Sequence, residues 1–168
     1  NDKALGAGEP IRVKPGERVM FHFLNASAIE NRHLALPGHK FNVIALDGNP
    51  VPVPAAVDVL MLGPGERIDA WVEMNHPGVW ILGAPEDPVR EGGLGIVVEY
   101  ANQHRSPQWS APPKSAWDYT IFGNPAGSGK PPSGPAPTEK LDMVFEKVPR
   151  GAGTMGSRMR WVRRSTGC

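Results

Sequence analysis

Apolar and polar side chains alternate one by one along much of the chain before Ala101. Ile11 and Val13 alternate with Arg12 and Lys14. Val19, Phe21 and Phe23 alternate with Met20, His22 and Leu24, and Phe41, Val43 and Ala45 with Asn42, Ile44 and Leu46. A period of two sends neighbouring side chains to opposite faces of a sheet. These stretches are therefore predicted strands, with more at residues 57–62, 68–74, 79–82 and 94–100. Val19, Phe21, Phe23, Phe41, Val43, Ile68, Trp80 and Ile96 are the expected core. No segment before Ala101 carries a helical period; residues 26–31 are expected to form at most one short turn, capped by Ser27.

The stretches between these strands carry turn chemistry. Pro-Gly recurs at Pro15-Gly16, Pro37-Gly38, Pro64-Gly65 and Pro77-Gly78. Proline presets φ at the first central position of a turn, and glycine accepts the positive φ that a type II turn needs next. Two copies share a setting, Lys14-Pro15-Gly16-Glu17-Arg18 and Gly63-Pro64-Gly65-Glu66-Arg67, a repeat of local turn chemistry too short to define a duplicated domain. Asp47-Gly48-Asn49 is a further turn signal. Short strands at regular spacing, joined by such turns, predict an all-β sandwich or barrel.

After Ala101 the pattern changes. Residues 106–114 and 124–137 are rich in Pro, Gly and Ser, the composition of an extended linker. Trp109, Trp117, Tyr119 and Phe122 interrupt it, so part of this segment is expected to dock on the sandwich. Leu141, Met143 and Phe145 then alternate with Asp142, Val144 and Glu146, as in one more strand. The expected division is a β domain over residues 1–102, a partly docked linker over 103–140, and over 141–168 the start of a next domain or an altered or truncated tail. The chain opens at Asn1 without an initiator Met and is expected to be an internal piece of a longer protein.

Charge and chemistry narrow the function classes. Lys and Arg total 18 against 17 Asp and Glu, so no overall field draws the chain to nucleic acid or a membrane. No apolar run approaches the roughly 20 residues of a membrane helix. Cys168 is the only cysteine, which excludes an internal disulfide. The run GNPAGSGK from Gly123 is one residue too long for a phosphate-binding loop, and Pro131 stands where Ser or Thr is required. No G-x-S-x-G nucleophile elbow is present. Asp47, Asp58 and Asp69 are assigned to turns and solvation, and His76 and His104 to surface turns. His22, His33 and His39 are the candidate metal residues, weighed against a structural role for each. The basic run 158–164 carries Trp161 and is the one stretch suited to an acidic partner.

Several stretches resemble laccase-like multicopper oxidases: RVMFHFLNAS from Arg18, ALPGHKFNVIALDG from Ala35, LGPGERIDAWV from Leu62, PGVW from Pro77, and the pair Gly93-Leu94. The resemblance implies a cupredoxin-like Greek-key β-sandwich or barrel, here with a Pro/Gly-rich C-terminal extension. It also says where copper ligands would stand. The family strand H-x-x-H-x-H-G-H-x-F, anchored on Gly38, His39 and Phe41, puts its ligand histidines on Arg32, Ala35 and Pro37. His33 is one residue out of step and would point to the wrong side of the strand. The pattern P-G-x-W-x-x-H-C-H-x-x-x-H-x-x-x-G-M, anchored on Pro77, Gly78 and Trp80, puts its ligands on Gly83, Ala84, Pro85, Val89 and Leu94. No position keeps a ligand.

The resemblance therefore implies the middle, copper-free domain of a three-domain enzyme. Copper would sit in the parent enzyme's other domains, with no catalytic residue and no cofactor in this chain. The parent would oxidise phenols, amines or metal ions by single electrons and reduce O2 to water, in a secreted or periplasmic setting. Neighbouring cupredoxin domains are the expected partners, and the isolated chain is expected to self-associate. The competing expectations are an oligomeric oxidoreductase with copper sites between subunits built from His22, His33 and His39, and a β-sandwich module that recruits a partner through its aromatic linker and basic tail.

Overall fold

A computed structural model describes residues 3–114, 116–123, 140–150 and 154–164. The chain divides into two compact units, Asn1–Gly127 and Ser128–Cys168. The GNPAGSGK run after Gly123, the Pro/Gly-rich stretch 124–137 and Cys168 lie outside the described residues.

The first unit is built of two sheets. One has the strand order β1-β9-β8-β3-β6, from β1 (Ile11–Val13), β9 (Gly95–Tyr100), β8 (Val79–Gly83), β3 (Arg32–Ala35) and β6 (Val59–Leu62). The other has the order β2-β7-β4-β5, from β2 (Arg18–Leu24), β7 (Arg67–Glu73), β4 (Phe41–Leu46) and β5 (Asn49–Val57). β1 runs parallel to β9 and the other pairings are antiparallel. Alternation decides which side faces in: in β4 Phe41, Val43 and Ala45 are buried, while Asn42, Ile44 and Leu46 are only half-buried.

The core joins both sheets. Phe41, Val43, Ile68, Ala70 and Val72 from one meet Leu60, Leu62, Leu82, Val98 and Tyr100 from the other. Full burial of such a side chain is worth about 1.5–3 kcal/mol. Of the expected core residues, Phe41, Val43 and Ile68 are buried; Val19, Phe21, Phe23, Trp80 and Ile96 pack against them half-exposed. β2 is a sheet edge, which leaves Phe21 and Phe23 stacked on each other at 5.6 Å with one side less covered.

The two matched turns close in the same way. Glu17 accepts the N–H of Lys14 through its carboxylate while its own N–H donates to the Lys14 carbonyl. Glu66 does the same with Gly63. Gly16, Gly38 and Gly65 take positive φ, as a type II turn requires. Gly78 does not; a Cβ there would stand 2.8 Å from Trp80 Nε1, so close approach of the indole demands glycine.

Three local expectations are corrected. β5 falls on NPVPVPAAV, whose Pro50, Pro52 and Pro54 hide a strand from the pattern; the strand is tolerated because it lies at the sheet edge. A five-residue helix, α1 (Asp87–Glu91), forms before Ala101 with Pro88 in its first turn, too short to show a period. Ser27 caps no helix: Asn25 is buried and organises that bend, accepting the N–H of Ser27 and donating to the carbonyls of Glu30 and Leu62.

The described residues between Tyr100 and Gly123 belong to the first unit and pack on its sheets. Gln108 bridges to Trp80, donating its N–H to Val79 and accepting from Ile81, beside the half of β8 that short β3 leaves unpaired. Phe122 is buried in the core and Trp117 packs against it, on the short 3-10 turn Tyr119–Phe122. Tyr119 donates to Glu66 at 2.7 Å; burial and that carboxylate push its phenol up to about 12.

The second unit shows one antiparallel hairpin, β10 (Lys140–Arg150) with β11 (Thr154–Arg164). The strand expected at 141–146 lies in β10, and the basic run 158–164 lies in β11, with Arg163 facing Leu141 and Trp161 facing Met143 across the pair.

Candidate functional site

Of the positions at which the family patterns put copper ligands, 35, 83, 84, 89 and 94 are linked at one end of the first unit. Ala35 of β3 is the register partner of Gly83 at the end of β8. Ala84 then donates its N–H to the Leu94 carbonyl at 2.9 Å, and Leu94 donates to Val89 at 3.1 Å. Those two bonds tie positions 84, 89 and 94 through α1 and the turn before β9. Gly83, Ala84, Pro85, Val89 and Leu94 offer no side-chain donor to a metal, and Arg32 is a cation paired with Glu30. Blue copper wants thiolate and imidazole, so this residue set does not fit copper. A cavity of about 220 Å³ beside it is lined by Phe23, Leu34, Leu82, Leu94 and Ile96, all apolar.

A buried charged side chain enters this end. Arg90 of α1 is only 5% exposed. Its Nη1 donates to the carbonyls of Ala84 at 2.9 Å and Pro85 at 3.0 Å, its Nη2 pairs with Asp87, and its guanidinium lies 3.9 Å over the Trp109 ring. The sequence pattern gave no hint of this arginine beyond its i,i+3 spacing from Asp87.

The three candidate histidines do not meet. His22 projects from the outer face of β2 and donates to Asp69 at 2.8 Å. His33 on β3 faces Met61 of β6 across the strand pair. His39 is buried after the Pro37-Gly38 turn. Among the described residues no group of three or more His, Cys, Asp or Glu is close enough to hold a metal ion.

His39 belongs instead to a hydrogen-bond chain that starts in the core and runs out to the surface. The Pro37 carbonyl, 2.9 Å from Nδ1, can only accept, so the proton sits on Nδ1. Nε2 is then the acceptor for the Tyr100 hydroxyl at 2.5 Å. Tyr100 Oη in turn accepts the N–H of His76 at 3.3 Å, and the His76 carbonyl accepts Trp80 Nε1–H at 2.9 Å. Burial lowers the His39 pKa, against the pull of the Pro37 carbonyl, and raises that of Tyr100. The chain joins the turn before β4 to β9 and β8 with both rings neutral. Sequence separation hid it: His39 and Tyr100 stand 61 residues apart.

Comparison with known proteins gives the family. The family model described as "Multicopper oxidase" matches residues 2–106. Laccase-15 of Oryza sativa subsp. japonica is 28% identical over 119 residues, 66% of this chain and 20% of that protein. Multicopper oxidase MmcO of Mycobacterium tuberculosis is 38% identical over 72 residues, 43% of this chain and 14% of that protein. The chain thus spans a fifth or less of these relatives' length. Among solved structures, the blue copper oxidase from Nitrosomonas europaea superposes with a TM-score of 0.53 at 29% identity, covering 56% of this chain and 31% of that one. The two-sheet unit is a cupredoxin-like β-sandwich, and the chain belongs to the multicopper oxidase family.

Proposed function

We propose that this chain is a copper-free structural cupredoxin domain of a laccase-like multicopper oxidase, holding copper-bearing domains in position while taking no electron itself. The observation that carries this is Ala84: it stands where the family pattern places the blue-copper cysteine, in a backbone frame otherwise kept. The parent enzyme would couple one-electron oxidation of phenols, amines or metal ions to reduction of O2 to water, in a secreted or periplasmic setting. Among the described residues no helix is long and apolar enough to cross a membrane. Visible and EPR spectra of the purified chain after incubation with copper test the proposal. No intense blue band and no blue-copper EPR signal are expected; either one would overturn it.

A scaffold needs faces for its neighbours. Met20 and Leu24 project from edge strand β2, Leu24 61% exposed, and Ile29 beyond it is 86% exposed. Apolar surface of this kind is expected to meet adjacent cupredoxin domains, and copies of itself when the chain is alone. Sedimentation of the isolated chain should show a concentration-dependent increase in mass, reduced by Leu24→Lys; a strict monomer at high concentration would count against this face.

A further inference from the structure

Arg90 is an expensive residue to place where it lies. Taking a guanidinium out of water costs several kcal/mol unless its charge and donors are matched. Its one carboxylate partner, Asp87, is itself 72% exposed in its side chain. The rest of the compensation comes from two backbone carbonyls and the face of Trp109. Arg90 Nε has no hydrogen-bond partner among the described residues. Room for the side chain is made by two glycines. A Cβ on Gly83 would stand 3.1 Å from Arg90 Cγ, and one on Gly95 would stand 2.9 Å from it. The arginine therefore lies across the paired Gly83 and Gly95 at the ends of β8 and β9, and no apolar residue of similar length would satisfy the carbonyls it reaches.

Its partners come from two pieces of chain: the turn that leads from β8 into α1, at Ala84, Pro85 and Asp87, and Trp109 of the segment after β9. A buried metal ion does the same work, drawing electron-rich atoms from separate segments onto one positive charge. We propose that Arg90 is a cationic cross-link standing in for a metal at this end of the sandwich, fixing the 84–94 loop and clamping the trailing segment through Trp109. A metal cation brought here would meet the guanidinium's own positive charge. The stand-in role rests on the copper-free reading above; the cross-link does not, and is tested without copper.

Site-resolved hydrogen exchange of the full chain reads it directly. The amides to follow are Ala84, which donates to Leu94, and Leu94, which donates to Val89. Arg90→Met should raise their exchange by about tenfold or more, while amides of central β7 change far less. Arg90→Lys should restore little, because an ammonium lacks the planar fork that serves carbonyls, carboxylate and indole face together. Trp109→Ala should raise the same two amides to a smaller degree. If Arg90→Met does not fold, the Lys and Trp109 variants carry the test. Wild-type exchange at Ala84 and Leu94 in Arg90→Met, or in both Arg90→Lys and Trp109→Ala, would overturn the proposal, whatever the chain's behaviour with copper.

Discussion

Phe41→Ala should cost about 3–5 kcal/mol, the usual range for deleting a buried phenyl ring. Phe41 is 0% exposed at the start of β4, an interior strand of its sheet, with β7 and β5 on either side. Its ring meets Phe23 edge-on at 5.7 Å, so the truncation also strips the half-covered Phe21–Phe23 stack of its inner wall. Neighbours held in two hydrogen-bonded sheets cannot collapse far into the space left. Set against a whole-domain stability of about 5–15 kcal/mol, this is at least about a fifth of the total. A urea titration followed by tryptophan fluorescence should show a lower midpoint with an unchanged slope, and the thermal midpoint should fall by at least about 10 °C. A shift below a third of that would mean the ring is not the keystone of the inter-sheet core.

Tyr100→Phe is expected to cost about 2–4 kcal/mol although it removes a single oxygen. The hydroxyl serves two partners, donating to buried His39 Nε2 and accepting from the half-buried His76 amide. Each polar group left unpaired costs about 1–3 kcal/mol. A pH signature separates this from lost packing. Burial holds the His39 pKa below 6.5 in the folded chain, while the unfolded chain titrates near that value. The folded state then binds fewer protons, so the stabilisation is full above pH 6.5 and declines as pH falls below it, until His39 protonates in the native state. In Tyr100→Phe the neutral ring loses the bond that favoured it, so its pKa should move back up and the acid-side loss should shrink. Stability measured from pH 7.5 downward for both proteins tests this; parallel curves would show that His39 does not depend on the hydroxyl.

How far the sequence could be read depended on whether a residue's partner was near it in the pattern. β2, β4 and β7 were legible because one face of each is more covered than the other, which is what single alternation reports. β5 was hidden by three prolines that only an edge strand tolerates. The helix Asp87–Glu91 was hidden by being shorter than two turns. The missing copper ligands could be seen by aligning two family patterns on retained glycines, prolines and a tryptophan. What replaced them could not, since Arg90 depends on glycines at 83 and 95 and on Trp109, and only the fold brings these together. Similarly, His39 read by itself is a candidate ligand; beside Tyr100 it is an acceptor already engaged.

The most direct test of the central claim is copper stoichiometry of the whole chain after loading and exhaustive dialysis. The account predicts no copper retained: the ligand positions carry no donor, His22 is bonded to Asp69, and His39 is buried against Tyr100. One copper per chain surviving dialysis, and lost in a His22, His33 or His39 variant, would contradict it and make this domain a metal carrier.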